Sequence, residues 1–333
     1  MRALSLSLFF LFFSLDALAI SETKKVAVLN IENIIPPEKI SSSHVGLYNV
    51  DSKYDYMEQA LTDMLISDLF RTEGIELLER SKLDKLLDEI GLSKTGIIDE
   101  KALKQSGKVI PADYLLYGYL EKEKDDFAIR LKVFNILSNE ITELKKGIAG
   151  ENNLFGLSRE LLKAFADHSG IKVTIKADKV GISQNSTLAI LPFCNNSRTD
   201  KFDYLQAGLA ELISADLSNC NFFRIIERQR IEVILDEMEL SLRGFVDEAT
   251  SVAIGRLLGA DYILLGSFFQ VGEQIRIDAR IVEVETSETV LASSVEGAAK
   301  ELFQLQEGLI EKITARMGQL KTDGKKLFCR TFH

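Results

Sequence analysis

Apolar and polar positions along this chain follow two rhythms. Leu205, Leu209, Leu212, Ile213 and Leu217 fall on one face at a spacing near 3.6, which predicts an amphipathic helix. "QIRIDARIVEVE" alternates, as a half-buried strand with an outward polar face should. Around these two anchors the second half of the chain reads as a series. Thr187–Phe193 and Phe222–Glu227 are short strands, Gln229–Glu239 is a helix with Ile231, Ile234, Leu235 and Met238 inward, and Glu248–Leu258 is another helix. Asp247 has the position and chemistry of that helix's N-cap. "DYILLGSFFQ" is a strand joined to the alternating one by a hairpin tip at Val271–Gln274, and "TVLASSVEG" can add one more. A closing amphipathic helix carries Leu302, Leu305, Leu309, Ile313 and Met317 on one face.

The first half repeats this order. Strands are expected at Val26–Ile31, Ile75–Glu79, Asp113–Tyr119, Phe127–Ile136 and Ile141–Ala149, and helices at Tyr56–Phe70, Ser81–Ile90, Glu100–Val109 and Leu154–Asp167. Met57–Glu140 lies over Leu205–Glu288 at a constant offset without a gap, and "SGKVIPADYLLYG" falls on "IGRLLGADYILLG". A register held that long marks a duplicated domain, with a period far above that of solenoid repeats. Alternating helices and strands ending in a hairpin imply α/β domains, each a mixed sheet flanked by helices. The expected layout is copy 1 over 22–170, a linker over 171–186 in which "IKVTIKA" offers an extra strand, and copy 2 over 187–320. The copies differ most at Ile34–Asp51, an insertion rich in Pro and Ser that reads as a surface loop; Tyr48 and Asn49 are its candidate functional residues.

Composition narrows the class. The chain has 333 residues, 46% hydrophobic and 27% charged, with four prolines, which fits about two globular domains and argues against disorder. A formal charge of −10 excludes nucleic acid as an expected partner. The tail 321–333 is basic and reads as a solvated end. Arg2, the apolar run Leu4–Leu15 and Ala17-Leu18-Ala19 form a secretory signal over 1–19. Ile20 stands where a lipoprotein would need Cys, so the mature chain is expected to be periplasmic, with no lipid anchor and no transmembrane segment. Of three cysteines, Cys194 and Cys220 sit at opposite ends of a helix about 20 Å long, beyond the roughly 7 Å of a disulfide; Cys329 in the tail could reach either.

No catalytic constellation emerges. His44, His168 and His333 have no ligand-spaced partner, and no phosphate, dinucleotide or nucleophile-elbow motif is present, so no metal and no cofactor is expected. Polar residues shared by both copies are Glu79/Glu227, Arg80/Arg228, Asp88/Asp236, Glu89/Glu237, Asp99/Asp247 and Asp113/Asp261. They fall at strand ends, caps and helix surfaces, where the fold needs polar groups, and Glu-Arg after the second strand reads as a turn-stabilising ion pair. Gly107/Gly255 and Gly118/Gly266 are shared too; Gly255 and Gly259 in "GRLLGA" are read as small residues for close helix packing.

"LAILPFCNNS", "LQAGLAELISADLS", "RIIERQRIEVILDE", "VAIGRLLGADYILLGSF" and "RIDARIVEVETSETVLASSVEG" together resemble the CsgG family of curli production and transport components. Its relatives include periplasmic lipoproteins and the N-terminal domain of TolB. The resemblance covers nearly all of copy 2 and, more loosely, copy 1. It implies a non-enzymatic bacterial envelope protein with α/β periplasmic domains, protein partners in the envelope and a capacity to form homo-oligomers. CsgG crosses the outer membrane with two long hairpins, but the tips Glu121–Asp126 and Val271–Gln274 are far short of the about 9–11 residues a membrane strand needs. "SSVEG" runs straight into the closing helix, which leaves no room for a second hairpin. A pore made by this chain alone is therefore not expected. The expected role is a docking component of outer-membrane or secretion assembly. The rivals are an adaptor or regulator of an envelope enzyme or TolB-like system, and a hydrolase using the repeated acids.

Overall fold

The computed structural model describes residues 23–36, 54–78, 80–89, 91, 99–124, 126–149, 153–174, 182, 185–197, 199–220, 222–238 and 248–318. The signal segment, the basic tail, Tyr48, Asn49, Glu79, Asp247 and Cys329 lie outside the described residues.

Copy 1 runs β1 (Lys24–Asn33), α1 (Tyr56–Phe70), β2 (Ile75–Leu77), α2 (Arg80–Glu89), α3 (Glu100–Ser106), β3 (Tyr114–Glu123), β4 (Asp126–Asn135), β5 (Glu140–Ala149) and α4 (Leu154–Ser169). Copy 2 runs β6 (Thr187–Ile190), β7 (Cys194–Asn195), α5 (Tyr204–Asn219), β8 (Arg224–Ile225), α6 (Arg228–Glu237), α7 (Glu248–Leu258), β9 (Tyr262–Val271), β10 (Gln274–Glu283), β11 (Thr289–Ala298) and α8 (Leu302–Gly318). The sheets have equivalent orders, β2-β1-β3-β4-β5 and β8-β6-β9-β10-β11, with β7 beside β9. In each, the first strand is parallel to both neighbours and the last three form an antiparallel meander. The fold is thus α/β, two mixed sheets flanked by helices.

Some boundaries differ from the periodicity reading for local reasons. The strand expected over Thr187–Phe193 stops at Ile190 and resumes at Cys194. Pro192 has no N–H to give to a ladder, and the Phe193 amide turns to the Gln206 carbonyl instead, at 2.9 Å. Copy 1 handles the same place with a register shift between Val28 and Ile31. The strand expected over Phe222–Glu227 shrinks to Arg224–Ile225, because Phe222 and Phe223 turn edge to face into the core. Ile171–Thr174 pair with no strand, although the Thr174 carbonyl accepts from the Glu73 amide at 2.8 Å; the rest of the proposed extra strand is outside the described residues.

Helices cover each sheet on both faces. α1 and α4 seat Leu61, Leu65, Leu161 and Phe165 against Ile129 and Leu131. α2 and α3 bury Leu83, Leu87 and Leu103 on Leu115 and Tyr117 across the sheet. Copy 2 repeats this with α5 and α8 on one face and α6 and α7 on the other. Phe269 and Val271 of β9, however, belong to the core of copy 1. The α1/α4 layer is therefore sandwiched between the two sheets.

Gly255 and Gly259 have different reasons. A Cβ on Gly255 would stand 2.8 Å from the side chains of Ile263 and Val284, so the helix–sheet contact requires a bare backbone. Gly259 is not a packing residue: nothing lies within 4 Å of a Cβ there, and its φ of +66° ends α7 in the left-handed conformation.

Candidate functional site

The most unusual chemistry lies where α1 meets β10. Asp68, Arg276 and Asp278 are all buried, at 3%, 2% and 6% exposure. Arg276 Nη2 donates to Asp68 Oδ1 at 3.0 Å and to Asp278 Oδ1 at 2.8 Å, and Arg276 Nε donates to Asp278 Oδ2 at 2.8 Å. The second Asp68 oxygen accepts from Ser158 Oγ of α4 at 2.7 Å, and Arg71 also pairs with Asp68. Two carboxylates around one guanidinium leave few donors unmet, which is the condition for burying an ion pair. Burial alone would raise the Asp68 carboxyl; Arg276, aided by Arg71 and Ser158, brings it below the usual carboxylate range. Burial works against the Arg276 charge, yet Asp278 and Asp68 hold its pKa above the ordinary value.

A second polar group adjoins it along α1. Asp63 accepts from Asn196 Nδ2 of copy 2 at 3.0 Å and from Gln59 at 2.8 Å. Its carboxyl is pushed up by burial, against the pull of the Arg280 charge and the Asn196 bond. Nearby, burial and then Asp63 push the Cys194 thiol up to about 12, so it does not ionise at neutral pH. Aromatic packing closes the end of this seam. Phe269 meets Tyr56 and Phe155, with centroids 5.9 Å and 5.8 Å apart. Arg159–Glu296 and Lys82–Glu288 bridge the copies at the exposed rim.

The shared polar residues sit elsewhere, in matching structural bonds. Asp113 accepts from the Lys25 amide at 2.7 Å, and Asp261 accepts from the Thr187 amide at 2.7 Å. Each ties the start of a first strand to the start of a third. Asp99 caps α3, accepting from the Lys101 and Ala102 amides. Glu227 holds the N-cap position of α6 without a side-chain cap bond. Arg228 pairs with Glu232 and Glu211. The ion pair expected between neighbours in Glu-Arg is thus replaced by one at i,i+4, where helical side chains face each other and i,i+1 residues do not. Gly107 would bring a Cβ to 2.8 Å from the Phe134 ring; Gly118 lies against the Arg130 carbonyl, and Gly266 under the Phe193 ring. Among the described residues no group of three His, Cys, Asp or Glu stands close enough to hold a metal ion. Cys194 is free and Cys220 is disulfide-bonded, so these two are not joined to each other.

The buried seam was missed in the sequence, although half of its signal was there. Asp68 and Asp216 occupy the same register position in apolar helices, and Asp68–Ser158 recurs as Asp216–Gln306, also at 2.7 Å. Asn33 and Asn195 form another repeated pair, donating to Asp55 and Asp203 at 2.7 Å and 2.8 Å. Arg276 and Asp278 were hidden by their pattern: alternation places them on an outward face, and here that face is covered.

Two repeats of one α/β fold, locked through a charged seam, define a tandem α/β repeat protein. The chain belongs to the CsgG family: the model described as "Curli production assembly/transport component CsgG" matches residues 20–122 and 170–276, more than half of the chain. The protein is 26% identical over 164 residues to "Tol-Pal system protein TolB" of Pseudomonas entomophila (strain L48), which covers 48% of this chain and 34% of TolB. It is 25% identical over 140 residues to a Rhizobium meliloti (strain 1021) protein that carries an adenylate cyclase name, covering 42% of this chain and 22% of that protein. The aligned part spans about a third or less of these relatives' lengths. Among solved structures, the LpoB C-terminal domain from Salmonella enterica aligns at 18% identity and a TM-score of 0.32, over 35% of this chain and 86% of that domain. No helix among the described residues is long and apolar enough to cross a membrane.

Proposed function

We propose that this protein is an exported, non-enzymatic docking component of outer-membrane or secretion assembly, of the curli-production type that its family's description names. The observation that carries the reading is how the shared acids are used. Asp113, Asp261 and Asp99 are bound to backbone amides, and Asp68 is held by Arg276, so none of them converges with the others on an open cleft. This use of Asp113, Asp261 and Asp99 weighs against a hydrolase built on those three acids.

Photocrosslinking from the surface positions Val233 and Leu257 in living cells, followed by fractionation, tests it. An envelope protein crosslinked in the periplasmic fraction is the expected result. A cytoplasmic location, or a periplasmic protein without adducts, overturns the reading. The TolB match favours a second reading, an adaptor for a TolB-like system. A single adduct with such a partner, and none with secretion components, would select it.

A further inference from the structure

Copy 1 carries a cleft at the end of its sheet, where β1 and β3 begin and β4 ends. It holds about 510 Å³, within the range of about 300–1,000 Å³ of small-molecule sites. Ile110 and Ile136, 2% and 8% exposed, form its apolar floor, with Pro111 and Leu137 at the rim. Lys25 and Lys108 supply the cations of the lining. Leu137, in the turn between β4 and β5, is 94% exposed, and Val109, next to Lys108, is 57% exposed. Large apolar residues standing that far into water around a cleft mark an interaction site. The duplication supplies a control. At the constant offset Leu137 becomes Glu285, Pro111 becomes Gly259, and Lys101 and Lys104 become Ala249 and Val252. Thr187 stands in copy 2 where Lys25 stands in copy 1, and its hydroxyl donates to Asp261 at 2.8 Å. Copy 2 thus keeps the fold's bonds at this place and loses both the apolar rim and the cation row.

We propose that this cleft of copy 1 binds a monomeric anionic amphiphile, a fatty-acid-like molecule whose carboxylate meets Lys108 and Lys25 and whose hydrocarbon lies on Ile110, Pro111 and Leu137. The backbone of the lining selects a hydrocarbon chain over a peptide. The amides of Ile110, Ala112, Asp113 and Ile136 donate to the carbonyls of Gly107, Ile110, Lys25 and Asp113, and the Lys25 amide donates to the Asp113 carboxylate. Pro111 has no N–H. These walls offer little to a peptide backbone, and what they do offer is apolar surface and ammonium groups. The cations select the sign of the head group. Lys101, Lys104 and Lys108 follow one another at helical spacing, all exposed, in a chain whose formal charge is −10. Lys25 is paired with Glu76 at 3.3 Å, but both side chains are more than half exposed, and such a pair is weak enough for Lys25 to turn to an incoming carboxylate. Lysine stems also lie along hydrocarbon while their ends stay in water, which suits an amphiphile held at a rim. The inference goes beyond the docking role and does not rest on it.

Isothermal titration of the full chain with dodecanoate, well below micelle formation, tests it, and dodecyltrimethylammonium supplies the same chain with the opposite charge. The expected result is one saturable site for dodecanoate and none for the cation, although the chain's negative charge would draw the cation first. Decanoate, two methylenes shorter, should bind about tenfold more weakly. Leu137→Glu, which installs the residue of copy 2, and Lys108→Glu should each weaken dodecanoate about tenfold or more. Leu257→Glu, at the place of Val109 in copy 2, should leave the dissociation constant unchanged. All three residues are exposed, and thermal melting checks that the variants fold. No saturable binding, equal binding of the cation, or an unchanged dissociation constant in the Leu137 and Lys108 variants overturns the proposal. So does a chain that sediments with phosphatidylglycerol vesicles yet takes up no dodecanoate, which would make the same residues a membrane-docking patch.

Discussion

α1 and α5 occupy the same place in the two copies, yet they live in different environments. α1 buries residues around most of its circumference, including Met57, Ala60, Met64, Ser67 and Asp68. α5 buries one face, through Leu205, Leu209, Ile213 and Leu217, and leaves Leu212 and Ala215 exposed. The cause is the second sheet, which lies on α1 and has no equivalent on α5 among the described residues. The comparison teaches that one helix register can serve a surface layer or an interior layer. The residues that change are those pointing away from the helix's own sheet.

Removing the seam's cation should have the largest effect. Arg276→Met leaves Asp68 and Asp278 buried without their counter-charge, and is expected to cost about 3–5 kcal/mol in chemical denaturation. Arg130→Met, on the equivalent but uncovered face in copy 1, should stay within about 0.5 kcal/mol in dilute protein. Equal costs would contradict the asymmetry. A second comparison truncates the paired helix positions: Met64→Ala should lose about 2–5 kcal/mol, and Leu212→Ala no more than about 1 kcal/mol under the same conditions.

Acid titration sharpens the contrast between acids inside and outside the seam. Asp68 and Asp261 have lowered pKa values, from Arg276 beside the first against its burial and from the Thr187 bonds on the second. Their stabilisation is present above the ordinary carboxylate pKa of about 3.9 and is lost as pH falls through their lowered values. Asp63 has the opposite sign. Its carboxyl is raised by burial, so the folded chain binds its proton more tightly, and stability falls as pH rises through that value. Asp63→Asn should therefore raise the melting temperature at neutral pH and flatten its decline above the acid range. A lower neutral melting temperature would show that the Asn196 and Gln59 bonds outweigh burial.

The smallest effects should be the most alike. Asp113→Asn and Asp261→Asn each weaken one charge-assisted bond to a backbone amide, at about 1 kcal/mol. Similar losses in the two copies would mark the bonds as parts of the repeated fold. A loss of some catalytic activity without a loss of stability would revive the hydrolase reading.

Much of the architecture was legible from local chemistry. Periodicity placed α1 at Tyr56–Phe70 and α7 at Glu248–Leu258, and alternation found β10 and its hairpin to β9. Local pattern failed where one residue changed the backbone's options, as Pro192 does by cutting the first strand of copy 2. It failed again where burial came from the other copy. Arg276 and Asp278 look solvent-facing because a strand's rhythm reports the alternation of faces and says nothing of what covers each face.

The sequence by itself determined the duplication, the family and the order of elements. The duplication and the order follow from register, spacing and capping chemistry, which act over a few residues and recur at a constant offset, and the family from the resemblance of the motifs. Only the tertiary structure decided that the two copies stack with one helix layer between two sheets. That stacking turned Asp68 into a buried partner of Arg276 and left its counterpart Asp216 at an outer face. The reason is physical: burial of a charge depends on surfaces brought together from more than two hundred positions apart, and no local pattern carries that information.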